Sequence, residues 1–468
     1  MFDTPDEVAL LESMRSAQRS ERVAVAHRLL AAGRLCQLRM ADIDEIDRTQ
    51  WCIDNWEAIA AEVGAELGIG RGRASSQMNY GLELLERLPK LGKVFAAGEV
   101  DFRVIAIAVF RTGLITDPDP DALATIDSRL AGMAPRWNAH SHHRIADLVD
   151  WWVRDVDPAA VRVARTSDAD RHIDIGPSRD GLTEFWGTLR APDAAALDRR
   201  LNQLTATVCR QDPRTNRQQR ADAMAVLAAG ASAMTCGCES ADCPARANSA
   251  EPGQIVIHVM AQAATVPGAS EAAGYLPGHG AIPAGQIREF SKRALLRPVP
   301  NRDELGAEPR YRPSAALADF VRARDLGCRF PGCDRPAEVC DIDHTIPYGQ
   351  GGPTHPSNLA LLCRPHHLVK TFLCGENGWR EEQFSNGTIV WTAPSGRTYT
   401  TTPSGALFFP ELAEPTGPVT VTAHRIDGES RTLMMPTRRR TRAAERLARI
   451  QWERGINEAR MNADPPPF

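Results

Sequence analysis

The stretch "DIDHTIPYGQGGPTHPSNLALLCRPHHLVKT", residues 341–371, holds an acidic residue directly before a histidine, Asp343–His344. A glycine-rich turn follows, then an asparagine, then a second histidine pair. Just upstream, "CRFPGC" (328–333) supplies two thiols, and "CRPH" (363–366) supplies a third thiol and an imidazole. Cys328, Cys333, Cys363 and His366 thus form a CxxxxC…CxxH set. Two short-spaced pairs of thiolate and imidazole ligands suit tetrahedral zinc. Such an ion would staple a module too small to hold itself by apolar burial. Buried, unrelated thiols are the plainer alternative.

Inside that bracket stands a second set: Asp343, His344, Asn358 and His367. His367 directly follows His366, so one side chain can face zinc while the next faces a cleft. Asp343 and His367 offer a hard oxygen and an imidazole to a divalent cation, with positions left for water and phosphate oxygens. His344 is then available as a general base, since its ordinary pKa lies near neutrality. Asn358 has a donor and an acceptor with which to hold the backbone near His344.

These residues strongly resemble the HNH endonuclease module. The resemblance implies a ββα-metal unit: a hairpin bearing Asp343–His344, a loop carrying Asn358 and a helix bearing His367. It implies His344 as general base, Asp343 and His367 as ligands of a catalytic Mg2+ or Mn2+, and Asn358 as support for the hairpin. Cys328, Cys333, Cys363 and His366 would hold a structural Zn2+. The chain departs from the commoner four-cysteine pattern, with His366 at a cysteine's place and Cys328 and Cys333 spaced more widely than CxxC. Cys340 is a candidate substitute ligand. Lys370 and Arg364 are candidate phosphate contacts, or else solvated surface charges.

Around this module, 468 residues allow several domains, and 43% apolar with 24% charged residues is ordinary for a globular chain. The net charge of −4 makes any nucleic-acid surface local. Lysine occurs only at Lys90, Lys93, Lys292 and Lys370, so arginine carries nearly all positive charge. The N-terminus does not read as a signal peptide, and no apolar run reaches membrane-span length. A cytoplasmic location is therefore expected, where eleven cysteines serve as thiols or metal ligands.

The expected fold is multidomain: a mostly α-helical N-terminal region with a small α+β part, then the zinc-stapled module. Residues 21–38 and 79–100 repeat apolar residues at helical spacing. Residues 56–78 read as helix, glycine turn and helix, compatible with a DNA-reading helix-turn-helix or a plain hairpin. Residues 170–208 read as two strands around "SRDG" and a helix from about Asp193; 216–234 read as a helix and 253–261 as a strand. "CGCESADC" brings Cys236, Cys238 and Cys243 together, enough to suggest metal but with no fourth ligand adjacent.

The expected divisions are 1–295, a proline-bearing linker 296–313, the module 314–375, a β-hairpin extension 376–412 and a basic tail 413–468, partly helical or disordered. Ser314 is the expected N-cap of the module's first helix. The tail stretch 436–461 has eight arginines against three glutamates, and could grip nucleic acid or lie solvated. The overall layout is similar to the actinobacterial 13E12-repeat proteins, whose N-terminal part is a domain of unknown function (number 222). The reading that follows is a metal-dependent endonuclease on DNA. Its rivals are a weakly active or non-catalytic zinc-containing DNA-binding protein, and a nuclease for RNA or for branched or nicked DNA. The oligomeric state is open, with a dimer one possibility.

Overall fold

The computed structural model describes residues 7–41, 48–116, 120–162, 171–246, 258–277, 279–292, 294–375, 377–421 and 434–463. The chain clusters into two units, 1–163 with 299–468, and 164–298. This differs from the division drawn from the sequence, which kept 1–295 apart from the C-terminal module.

The first unit begins with seven helices: α1 (Glu7–Ala41), α2 (Asn55–Leu67), α3 (Arg71–Leu82), α4 (Pro89–Ala96), α5 (Phe102–Thr112), α6 (Pro120–Met133) and α7 (His142–Val156). Helix α2 starts where the Asp54 carboxylate accepts from the Glu57 N–H, and ends at Gly68 in the left-handed region. The stretch 79–100, read as helical from its apolar spacing, is interrupted. After a wide turn at Glu83–Arg87, Leu88 leaves helical geometry because Pro89 follows, and α4 starts at that proline. Leu84, Leu88, Leu91, Phe95, Ile105, Ile126 and Val149 are fully buried in the main helical core.

In the second unit, β1 (His172–Arg179) and β2 (Leu182–Thr188) pair antiparallel. Asp180 and Gly181 both have positive φ at the turn, as a tight hairpin requires. Helices α8 (Ala191–Thr205) and α9 (Asn216–Ala228) follow. Then come the short pair β3 (Gly274–Leu276) and β4 (Gly280–Ile282), and α10 (Ala284–Ser291). Of the strand expected over 253–261, residues 253–257 lie outside the described residues, and Met260 makes an isolated bridge to Tyr275.

The first unit resumes with α11 (Ala315–Asp325), capped by the Ser314 hydroxyl accepting from the Leu317 N–H. Strand β5 (Cys340–His344) pairs antiparallel with β6 (Leu359–Cys363), and α12 (Arg364–Phe372) leaves directly from β6. Strands β7 (Arg380–Gln383), β8 (Ile389–Thr392) and β9 (Thr398–Thr401) form a three-stranded antiparallel sheet. Helix α13 (Arg442–Ala463) closes the described chain.

A second core shows why the two ends of the sequence share one unit. Ile53, Ala61 and Ala65 of the α2 region pack with Phe330, Leu362, Trp379 and Trp391. The glycine turn after α2 lies against the "CRFPGC" turn: a Cβ on Gly332 would meet the Gly64 and Ile69 carbonyls. Helices α2 and α3 are thus part of this packed body. The basic tail is docked too. Arg438 and Arg442 pair with Asp54 and Glu57, Arg446 with Glu83, and Arg454 with Asp157. The expected linker is also engaged, with Glu308 bridged to Thr354 across the module.

Candidate metal centres and active site

A buried charge cluster fixes the hairpin that carries the site. The Asp325 carboxylate accepts from Arg324 at 2.8 and 3.1 Å, from Arg329 at 2.8 Å and from the Leu361 N–H of β6 at 3.0 Å. Arg324 also donates to the Pro356 and Leu359 carbonyls, each at 2.6 Å. Arg329 reaches the Thr401 carbonyl of β9 at 2.8 Å. Burial pushes the Asp325 carboxyl up, but the two guanidiniums outweigh it and hold the group below its usual range. Helix α11, the β5–β6 hairpin and the three-stranded sheet are thereby tied together.

Cys328, Cys333, Cys363 and His366 converge, their ligand atoms all within 4.8 Å of one another. His366 Nδ1 is 3.4 Å from Cys328 Sγ and 3.3 Å from Cys363 Sγ, and Cys333 Sγ is 3.9 Å from Cys363 Sγ. A tetrahedron built on Zn–S bonds of about 2.3 Å has S–S edges of about 3.8 Å, so the four atoms fit zinc. The His366 ring stacks on Phe330 with centroids 4.1 Å apart, which fixes its orientation. Hydrogen bonds from the Cys328 and Cys333 thiols hold Cys363 well below the ordinary thiol range. Cys340, the candidate substitute, stands outside this cluster: its thiol donates to the Arg335 and Pro336 carbonyls.

The second set lies at the end of β5 and on α12. Asp343 Oδ1 is 3.4 Å from His367 Nε2. The other nitrogen, His367 Nδ1, is 3.0 Å from Asp341 Oδ2. Asp341 was missed in the sequence reading, although a spacing of two along a strand places it on the same face as Asp343. A carboxylate on the far nitrogen orients an imidazole and presents Nε2 as a ligand. Two ligands of one octahedral cation lie about 3 Å apart for bonds of roughly 2.1 Å, which Oδ1 and Nε2 approach. Lys370 is not a free phosphate contact: its ammonium bonds Asp343 Oδ2 at 2.6 Å, Glu381 Oε1 at 2.9 Å and the His344 carbonyl. Burial raises the Glu381 carboxyl against the pull of that ammonium. Arg364 is exposed, 3.8 Å from Asp341.

His344 is buried beneath Tyr311, whose ring stacks on it at 5.3 Å, and Tyr348 meets it edge-on at 5.6 Å. Its Nε2 is 2.8 Å from Thr354 Oγ1. The Thr354 hydroxyl has one proton, and it donates to a main-chain carbonyl, with Arg310 and Tyr311 both in reach. His344 Nε2 must then carry a hydrogen and donate to Thr354, which leaves the lone pair on Nδ1. Burial lowers the His344 pKa; Lys370 adds to this and Asp343 opposes it.

Asn358 is buried across the turn. It accepts from the Ile346 N–H at 2.8 Å and donates to the Ile346 and Pro353 carbonyls at 3.0 and 2.8 Å. Gly351 has φ of +88°. A Cβ on Gly352 would sit 2.0 Å from the Ile346 carbonyl oxygen. Gly351 and Gly352, two of the three glycines of "YGQGG", are thus required, one by conformation and one by close approach.

Comparison with known proteins agrees with this architecture. The model of the domain of unknown function DUF222 matches residues 16–325, and the HNH endonuclease model matches 328–371. Uncharacterized protein Rv3776 of Mycobacterium tuberculosis is 43% identical, over 98% of this chain and 92% of its own length. Uncharacterized protein Rv2100 of the same organism is 42% identical, over 99% of this chain and 90% of its own. A third relative, the uncharacterized protein in the est 3' region of Mycobacterium tuberculosis, is 38% identical over 67% of this chain and 96% of its own. No solved structure matches. Among the described residues, no helix is long and apolar enough to cross a membrane. The chain belongs to the DUF222 family and carries an HNH endonuclease domain at its C-terminal side.

Proposed function

We propose that this DUF222–HNH protein is a metal-dependent endonuclease that hydrolyses phosphodiester bonds in DNA, with 340–372 as a ββα-metal unit. The observation that carries the reading is the pairing of Asp343 Oδ1 with His367 Nε2, next along the strand to His344, whose Nε2 is engaged by Thr354 so that Nδ1 is left to take a proton. Asp343 and His367 would hold Mg2+ or Mn2+, which when bound supplies positive charge to a phosphate oxygen and the leaving oxygen.

In this reading His344 Nδ1 takes a proton from a water whose oxygen attacks phosphorus. The bond from phosphorus to the 3′-oxygen breaks, and the leaving oxygen takes a proton from solvent. Thr354 holds the His344 tautomer, and Asp341 holds the His367 ring. Asn358 keeps the turn between them closed. Arg364, exposed beside the hairpin, contacts a flanking phosphate. Cys328, Cys333, Cys363 and His366 hold the structural zinc. A cytoplasmic location fits thiol ligands that must stay reduced.

The test is incubation of supercoiled plasmid with the intact protein and Mg2+ or Mn2+, beside a chelator-treated control. Nicking or linearisation that requires the added metal supports the reading. Retained DNA binding without cleavage, by protein shown to be folded and zinc-loaded, would replace it with the non-catalytic binding module. Cleavage confined to RNA or to branched or nicked DNA would replace the substrate.

A further inference from the structure

We propose that Cys209, Cys236, Cys238 and Cys243 bind a second structural zinc ion, in the unit formed by 164–298. The four sulfurs lie within 4.8 Å of one another, and Cys209 Sγ is 3.5 Å from Cys236 Sγ. The "CGCESADC" loop supplies three of them. The fourth comes from 27 residues upstream, just beyond α8, with the whole of α9 in between. Four thiolates at these separations match the edges, about 3.8 Å, of a tetrahedral Zn–S site. Cys236 and Cys238 are buried, and Cys209 and Cys243 are half-buried at the rim. Thiols that paired only as disulfides would have no reason to bring all four sulfurs to one point.

The frame around the sulfurs is built independently of them. The Asp212 carboxylate accepts from the Arg214 guanidinium at 2.9 and 2.8 Å and from the Gly237 N–H at 2.8 Å. Arg214 also reaches the Thr235 carbonyl at 2.9 Å, and the Cys236 N–H donates to the Ala245 carbonyl at 2.9 Å. These bonds clamp the loop that follows Cys209 to the loop that carries the other three cysteines.

The need for a staple is visible in the packing. Among the described residues, the buried apolar residues that cluster around α8 and α9 are Leu201, Leu204, Ala223 and Met234, a small core for two helices and a long loop. A metal ion closing that loop supplies order that apolar burial alone does not. This site does not depend on the nuclease reading and lies in a different unit from Cys328, Cys333, Cys363 and His366.

The test is zinc content per chain of full-length protein, by elemental analysis and native mass spectrometry. The wild type is expected to hold two zinc ions. Cys236→Ser with Cys238→Ser should hold one, and Cys363→Ser should also hold one. Alkylation with N-ethylmaleimide, followed by peptide mapping of the wild type, decides the matter even if a variant fails to fold. Cys209, Cys236, Cys238 and Cys243 should be protected until a chelator is added. A wild type that holds a single zinc, unchanged in the Cys236/Cys238 variant and lost in Cys363→Ser, with Cys209, Cys236, Cys238 and Cys243 labelled before chelation, would overturn the second site and leave the first intact. A Cys209–Cys236 disulfide in protein purified under reducing conditions would also overturn it.

Discussion

Thr354 decides which nitrogen of His344 is basic, because its only hydroxyl proton already belongs to a main-chain carbonyl. Thr354→Val should therefore lower cleavage by about tenfold or more while leaving Mn2+ affinity nearly unchanged, since general-base catalysis depends on the placed lone pair. A parallel titration of activity and metal binding checks this, and a loss of metal affinity instead would place Thr354 in the metal site. Asp341 makes the opposite forecast. Asp341→Asn should weaken Mn2+ binding about 10–100-fold, as removal of a carboxylate behind a ligating histidine does. At this scale the sequence was most legible: Asp343, His344, Asn358 and His367 lie within 25 residues, so local chain geometry brings them together. Lys370 was less legible. Its charge suggested phosphate, but its fate depends on Glu381, which only the three-stranded sheet brings beside it.

The hairpin works as an element because buried charge fixes it from behind and close backbone contact fixes its turn. Asp325→Ala should destabilise the first unit by about 3–5 kcal/mol, since two buried guanidiniums would lose their partner. Denaturant unfolding measures this, and a change under 1 kcal/mol would mean that water replaces the carboxylate. Gly352→Ala should open the turn that Asn358 closes, and reduce cleavage more than the global melting temperature. The strand pair around Asp343–His344 and the helix bearing His367 were expected from the resemblance to the HNH module rather than from residue spacing. The cluster of Arg324, Asp325 and Arg329 was not, because a charged run at a helix end ordinarily faces solvent. The break at Leu88 was readable in principle, as Pro89 stands in the sequence, but the apolar periodicity on both sides masked it.

Over the whole chain, the least legible feature was the union of the two ends of the sequence. Asp54 and Glu57 meet Arg438 and Arg442 across nearly four hundred residues, and no spacing rule reaches that far. Burial pushes the Glu57 carboxyl up, yet Arg71 and Arg442 together hold it below its usual range. A carboxyl so lowered stabilises the fold above its unfolded pKa, and that contribution is lost as pH falls through the lower folded value. The melting temperature of Arg442→Ala should thus lie below wild type at pH 7, and the gap should close as pH drops below about 4. A gap that persists in acid would assign the loss to packing against Trp56, over which Arg442 also lies. The intact chain, with its docked tail, is also the right object for the central test. The measurement is the rate of plasmid cleavage by His344→Ala against wild type, at equal zinc content and saturating Mn2+. The account predicts a loss of about 10²–10⁴-fold, the usual contribution of a general base, with fold and metal binding retained. Cleavage undiminished in the variant would contradict it.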